Sequence, residues 1–345
     1  MDTHFNSAYA ANRDIVRPRD NGPSENCLTR LRAPSIAMGG LDARQAVIPA
    51  RLRSSFVRIG DYFTLMKPRV MSLVVFTAVV GLLSAPDPIQ PTIGFFAILC
   101  IAAGAGSAGV LNMWYDADID AVMTRTAGRP IPRERVRAEE ALALGLVLAA
   151  TSIILLGLLI NVAAAGLLAI TICFYVLVYT VWLKRATPYN IVVGGAAGAF
   201  PPTIAWVAAT GTLSVEPLLL SLIIFLWTPP HFWALSLYRA DDYARAAIPM
   251  LPVVAGKVKT REQILVYTLL LVPVSILPWV FGFVGLIYGA VAIAAGANMI
   301  LLTWQLWTAD GAKERIARHL FAFSIVYLFS LFAAYLVQKE ITAHF

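Results

Sequence analysis

Nine stretches of this 345-residue chain are apolar enough to be candidate membrane-spanning helices, and none contains an Asp, Glu, Lys or Arg. They fall at residues 70–84, 93–111, 141–159, 163–183, 191–209, 218–237, 264–281, 284–307 and 320–337. The first is short for a span, so its helix is expected to begin within residues 63–69, with Lys67 and Arg69 at the interface. Charged residues are only 14% of the sequence against 59% hydrophobic, and the mean hydropathy is +0.73. A length that would otherwise suggest two soluble domains therefore describes an all-α polytopic membrane protein. That excludes a soluble domain, a nucleic-acid binder and a secreted disulfide scaffold. Cys27, Cys100 and Cys173 are scattered, with no CxxC pair, and read as inert packing.

The net charge of +7 has a topological reading, because Lys and Arg are retained on the cytoplasmic side of a membrane. With the N-terminus cytoplasmic, every one of the 27 Lys and Arg except Lys339 falls on that inner face. A miscounted span would mix the charges between faces, so the asymmetry supports nine spans with the N-terminus in and the C-terminus out. Residues 1–60 are polar, rich in Arg, Ser and Asn, and are expected to be a disordered cytoplasmic tail, followed by a membrane domain over 61–345. An Arg-rich start also suits a mitochondrial transit peptide, but Asp2, Asp14, Asp20 and Glu25 are more acid than such a peptide carries, so a bacterial inner membrane is expected.

With the spans free of charge, ionic chemistry belongs to the inner loops. The first long one holds Asn112, Asp116 and Asp120, four apart, followed by Arg125 and Arg129. If the second span continues as a helix, the three oxygen-bearing side chains stack on one face while Asp118 points elsewhere. Stacked carboxylates repel unless a cation sits between them, and oxygen ligands suit Mg²⁺ shared with substrate phosphates, which the two guanidinium groups can grip. The other reading is that acids and bases at a helix end anchor it among headgroups. The second long loop, after the sixth span, carries Arg239, Asp241, Asp242 and Tyr243 and suggests a pseudo-repeat facing the first. A short third loop holds Lys184, Arg185 and Asn190; its two bases either satisfy the positive-inside rule or neutralise a diphosphate leaving group. His231, at membrane depth after Thr228-Pro229-Pro230, is either a functional group or a neutral imidazole bonded to carbonyls that the prolines free.

These residues carry a resemblance. The run Asn112-x3-Asp116-x2-Ile119-Asp120-x2-Met123-x-Arg125-Thr126-x2-Arg129 resembles, at every position, the aspartate-rich motif of the UbiA superfamily of intramembrane prenyltransferases. Five further blocks are similar to its heme-farnesylating branch: Leu65-Met66-Lys67-Pro68-Arg69, Gly106-Ser107-Ala108-Gly109, Trp182-Leu183-Lys184-Arg185 with Thr187-Pro188 and Asn190-Ile191-Val192, Thr228-Pro229-Pro230-His231-Phe232-Trp233, and Ile248-Pro249-Met250-Leu251-Pro252-Val253-Val254. The likeness runs from about residue 60 to the end of the chain.

The resemblance implies nine helices around a central cavity open to the lipid and roofed by the polar loops. It also implies transfer of the farnesyl group of farnesyl diphosphate to a vinyl group of heme B, with water added, giving heme O and diphosphate. In that reading Mg²⁺ is held by Asn112, Asp116 and Asp120, and Arg125, Arg129, Lys184 and Arg239 stabilise the growing negative charge. Asp242, Tyr243, Asn190 and His231 contact substrate, His231 as a possible axial ligand of the heme iron. Heme B, farnesyl diphosphate and the bilayer are the implied partners, with a downstream heme A synthase or oxidase assembly factors beside them. The second loop departs from many superfamily members: Asp242 is followed four residues on by Ala246, and Asp241 by Arg245, which leaves a second Mg²⁺ short of ligands. Two other readings stand beside this one: a prenyltransferase for an aromatic or quinone precursor, and a transporter whose Pro201-Pro202 and Pro229-Pro230 mark broken helices.

Overall fold

Residues 59–86, 89–309 and 313–344 are described by a computed structural model, and among them there are helices and no strands. The expected tail lies outside them, except that Ile59 and Gly60 already belong to the first helix. Eight helices are long and apolar enough to span a membrane, and a ninth span is a pair, α1 (Ile59–Leu65) and α2 (Pro68–Leu83), bent by 57°. The first span thus begins before its apolar run, as expected, but at Ile59 and so ahead of residues 63–69, and the bend sits at Met66-Lys67 because Pro68 cannot continue a helix backward through its own nitrogen.

The others follow in order. α3 (Pro91–Tyr115) leads through Asp116 into the short α4 (Ala117–Val122), and α5 (Ala138–Leu159) returns. α6 (Val162–Cys173) continues as a π-helical segment, Phe174–Leu183, into α7 (Lys184–Ala186). The fifth span is broken into α8 (Asn190–Ala199) and α9 (Pro201–Thr210) at Phe200, ahead of Pro201-Pro202. α10 (Val215–Leu237) runs unbroken through Pro229 and Pro230, where the sequence suggested an interruption. α11 (Ala240–Arg245) and α12 (Leu251–Val254) are short; α13 (Gly256–Val280), α14 (Leu286–Thr308) and α15 (Lys313–His344) complete the bundle. α13 starts eight residues before the apolar run at 264, because its polar first turns, with Lys257, Lys259, Arg261 and Glu262, lie outside any apolar layer.

α15 packs on α14 and also on α2, so the last span returns to the first and closes a ring. Position in the ring explains which residues are exposed. In α5 and in the α6 span 22% of the apolar window is buried, against 72% in both the α8–α9 span and α10. The first two show their Leu and Ile to lipid; the last two form the centre. Close approach there depends on glycine. A Cβ on Gly81 of α2 would lie 2.8 Å from the Pro202 carbonyl carbon, so α2 can lie across the broken span only without one. Two apolar cores result, one around α10, α13, α14 and α15 and one around α2, α3, α5, α6 and α9. A smaller third, with Ile119, Met123, Ile191, Tyr243, Ile248 and Met250, joins the two long polar loops above them.

Candidate active site

The acid row forms as its spacing predicts. The backbone N–H of Asp116 donates to the Asn112 carbonyl at 3.0 Å and that of Asp120 to the Asp116 carbonyl at 2.8 Å, so one face continues across the α3–α4 junction. All three side chains are buried, Asp116 completely. Buried carboxylates need partners, and one comes from another segment and two from the same one. Lys184 pairs with Asp116 Oδ2, Asn112 Nδ2 donates to the same oxygen at 2.7 Å, and Arg129 Nη1 reaches Asp120 Oδ2 at 2.5 Å. Asp118 turns the other way and holds Arg185 with two contacts of 2.8 and 2.9 Å, so of the two bases in the short loop Lys184 faces the acid row and Arg185 faces Asp118. The Arg185 guanidinium, the first cause, holds the Asp118 carboxyl below its ordinary value.

Asn112 differs from the expectation that it supplies a metal-binding oxygen. Its Oδ1 accepts from Lys67 Nζ at 2.5 Å, and its amide also donates to Thr180 Oγ1 at 3.1 Å, so it orients Asp116 rather than offering a free oxygen. The sequence puts Lys67 at the interface and gives no sign of Thr180. Lys67 enters because it stands in the left-handed region (φ 54°, ψ 55°) at the bend, which turns its side chain inward onto α3. Thr180 enters because the π-helical segment rotates it toward Asn112, its own hydroxyl bonding the Tyr175 carbonyl five residues back at 2.9 Å. Neither has a signal in the spacing of the sequence.

The second loop meets the first at Asp242. Its Oδ1 accepts from Thr124 Oγ1 of the first loop at 2.8 Å and from Arg245, and Arg239 stands 3.7 Å from Oδ2. The Thr124 hydrogen bond first, then Arg245 and Arg239, hold this carboxyl below the ordinary aspartate value. Tyr243 is buried in the small apolar core under that contact. Asn190 is buried at the start of α8, its Nδ2 donating to the Thr187 carbonyl at 2.6 Å and its Oδ1 without a partner; nothing joins it to the acid row.

Beneath the loops lies a cavity of about 730 Å³. Arg125 lines it and forms no ion pair among the described residues, so of the expected basic groups it is the one uncommitted to a carboxylate. Tyr175, Tyr179, Trp227, His231 and Phe321 give the wall an aromatic character. Gly194 and Gly195 of α8 make room for that wall: a Cβ on Gly194 would overlap the Tyr179 ring, and one on Gly195 would lie 2.9 Å from Thr228 Cγ2.

Among the described residues no group of three or more His, Cys, Asp or Glu side chains converges on a point. A Mg²⁺ ion shared with a diphosphate does not need one, since it keeps water and takes one or two protein carboxylates beside the phosphate oxygens. Asp116 Oδ1 fits that role: it is buried and has no hydrogen-bond partner, with the Arg185 guanidinium no nearer than 4.0 Å. Asp120, one turn on, fits as the second.

A model of the UbiA prenyltransferase family matches residues 73–331. The chain is 61% identical over 280 residues to the protoheme IX farnesyltransferase of Azorhizobium caulinodans, covering 81% of this chain and 91% of that one, and 58% identical over 293 residues to that of Rhodopseudomonas palustris, covering 84% and 94%. Among solved structures it is similar to a digeranylgeranylglyceryl phosphate synthase (TM-score 0.68, 17% identity, 82% of this chain and 98% of that). It is also similar to a UbiA homolog from Archaeoglobus fulgidus bound to DMAPP and Mg²⁺ (TM-score 0.61, 16% identity, 79% and 99%). A ring of apolar helices under a roof of paired acids and bases, matched by sequence over three quarters of its length and by fold over more, makes this multi-pass membrane protein a member of the UbiA prenyltransferase family.

Proposed function

We propose that this chain transfers the farnesyl group of farnesyl diphosphate to a vinyl group of heme B, with addition of water, forming heme O and releasing diphosphate. It does so in a bacterial inner membrane, with the polar roof on the cytoplasmic side. The observation that carries the acceptor is the high identity to protoheme IX farnesyltransferases over nearly their whole length. The geometry supports the chemistry, because a basic and acidic roof over an apolar, ring-lined cavity suits an anionic leaving group on a greasy chain and a flat greasy acceptor.

Asp116 and Asp120 would hold Mg²⁺, which when bound supplies positive charge to the diphosphate oxygens and so eases their departure. Arg125 and Arg129 grip the phosphates, and Lys184 and Arg239 add positive charge at the roof as negative charge grows on the leaving group. Asn112, held by Lys67 and Thr180, keeps Asp116 aimed. The allylic C–O bond breaks with its electron pair leaving on diphosphate. The vinyl π pair then forms a C–C bond from its terminal carbon, and water adds at the carbon beside the porphyrin and loses a proton. No protein nucleophile is required, and the apolar wall around Tyr175, Tyr179 and Trp227 keeps water from the allylic cation until the new bond forms.

The experiment is incubation of membranes containing the protein with heme B, farnesyl diphosphate and Mg²⁺, followed by mass spectrometry of extracted hemes. The expected product has the mass of heme B plus one farnesyl group and one hydroxyl. Unchanged heme B alongside a prenylated aromatic acceptor would move the reaction to the quinone branch of the family.

A further inference from the structure

One base at the cavity has no task in the proposed reaction, Arg69. The bend between α1 and α2 sends two neighbouring cations to different places. Lys67, in the left-handed region, turns onto Asn112, whereas Arg69, two residues on in the first turn of α2, lines the cavity. The Arg69 carbonyl accepts from Ser72 Oγ at 2.9 Å, but its guanidinium pairs with no carboxylate among the described residues. Lys184, Arg129, Arg135, Arg185 and Arg239, on the same side of the bundle, all have one.

The cavity itself gives this cation nothing to neutralise it. No Asp or Glu lines it among the described residues, and its charged groups are Arg69 and Arg125 alone. Most of its neutral polar groups are occupied. The hydroxyls of Thr77, Thr171 and Thr228 each donate to a carbonyl of their own helix, and His231 Nδ1 rests on Ser324 Oγ at 2.6 Å, not on the carbonyls that Pro229 and Pro230 free. An anion entering the space therefore has two places to settle. Arg125, in the first polar loop, serves the diphosphate. Arg69 is exposed while it lines the cavity, as are Val70 beside it and Phe329 of α15, whose ring stacks on Phe76 of α2 at 4.7 Å, so it stands at the mouth between those two helices.

We propose that Arg69 binds a propionate carboxylate of the tetrapyrrole acceptor at this mouth, and that the contact aims the opposite edge of the macrocycle inward. Heme B carries its two propionates on one pair of adjacent pyrroles and its two vinyl groups on the other pair, so one edge is anionic and the other apolar. The vinyl edge suits the aromatic wall, but propionates carried in with it and left unpaired would be costly. A guanidinium takes a carboxylate in two parallel hydrogen bonds, which fixes direction as well as adding affinity. The inference rests on the proposed heme substrate and adds which end of it enters first. A base at this level also reaches phospholipid phosphates, so the source of the anion is what the test must separate.

The test uses the full chain in phosphatidylcholine nanodiscs, without farnesyl diphosphate, titrated with heme B and with its dimethyl ester, whose propionates carry no charge, and read by absorption against empty nanodiscs. The wild type is expected to bind heme B about tenfold more tightly than the ester. Arg69→Gln is expected to lose that tenfold for heme B and to bind the ester as the wild type does, which also establishes that the variant is folded. Arg69→Lys, which keeps the charge without the fork, should retain part of the preference. In turnover, Arg69→Gln should raise KM for heme B by about the same factor and leave KM for farnesyl diphosphate unchanged. Three results would overturn the assignment: no preference in the wild type, equal weakening of heme B and ester in Arg69→Gln, or a KM change confined to farnesyl diphosphate, which would give the base to the leaving group. Heme B affinity untouched in Arg69→Gln would likewise overturn it and leave Arg69 to lipid phosphates. Heme O formation by the wild type with an Arg69-independent preference defeats this inference alone, and an Arg69-dependent preference without farnesylation defeats the reaction alone.

Discussion

After α3 the chain presents two carboxylates one helical turn apart, Asp116 met by Lys184 from another part of the fold and Asp120 by Arg129 of its own loop. After α10 it presents two adjacent carboxylates, of which Asp241 is exposed and Asp242 is gripped by Arg239 and Arg245 of its own loop and by Thr124 of the other. The ingredients are the same and the arrangement is not. In the first loop the buried Asp116 Oδ1 accepts no hydrogen bond and has only the Arg185 guanidinium, at 4.0 Å, so it can still take a cation. In the second every oxygen of Asp242 has a cation or a donor, and the group serves as a latch between loops. On the proposed function, two acidic loops at the ends of two spans divide into one that acts on substrate and one that holds the roof shut.

The largest expected effect sharpens this division. Asp116→Ala should reduce farnesyl transfer by about a thousandfold, the several kcal/mol that a metal ion's charge stabilisation is worth, with the protein still inserted in the membrane. Asp242→Asn should lose only about tenfold, since its arginine partners are half-exposed and such a latch contributes on the order of 1 kcal/mol. Turnover measured per folded protein in the two variants decides it: equal losses would erase the distinction between the loops.

Next in size is Lys67, whose ammonium bonds the buried Asn112 oxygen while its backbone sits in the left-handed region. Lys67→Met removes the donor and keeps the strain; Lys67→Gly removes the donor and relieves roughly 1 kcal/mol of it. Both should reduce activity about 10–100-fold, because an unpaired buried oxygen misaligns Asp116, but the glycine variant should melt at the higher temperature of the two. Thermal unfolding curves in detergent that rank them the other way would remove the argument that the bend presents Lys67 to the site.

How far the sequence discloses such features depends on their geometry. Asn112, Asp116 and Asp120 are legible because a helix of 3.6 residues per turn converts a spacing of four into one face. The spans are legible because charge is excluded from them, and the early start of the first is legible in the shortness of its apolar run, whereas the bend at Met66-Lys67 is not. Thr180, Ser324 and Thr124 are not, since each acts through a contact with a residue 68 to 118 positions away that no local period announces. The π-helical segment that turns Thr180 inward is an unbroken apolar stretch in the sequence, without proline or glycine to mark it.

A smaller effect tests the latch from the first loop's side. Thr124→Val deletes its hydrogen bond to Asp242 and leaves Arg245 and Arg239 in place, so it should raise KM for farnesyl diphosphate about fivefold with little change in kcat. A fall in kcat of the size seen for Asp116→Ala would instead place Thr124 among the groups that act on the leaving diphosphate.

The smallest effect is in the pH dependence of the same latch. Because the Asp242 carboxyl is held below the ordinary aspartate value of 3.8, its contribution to closure is complete above that value and is lost only as pH falls through the lower, folded one. The protection of amides across residues 239–246, taken relative to the intrinsic exchange rate at each pH, should therefore stay constant from about pH 8 to about pH 5 and fall only in stronger acid, which raises exchange above that intrinsic trend. Thr124 is the first cause of the depression, so in Thr124→Val the rise should begin at a higher pH, nearer 3.8, though still below the neutral range. Loosening of the wild-type loop already between pH 7 and pH 5 would mean that a group other than this carboxylate controls closure, and the second loop would lose its standing as a permanently ionised clamp.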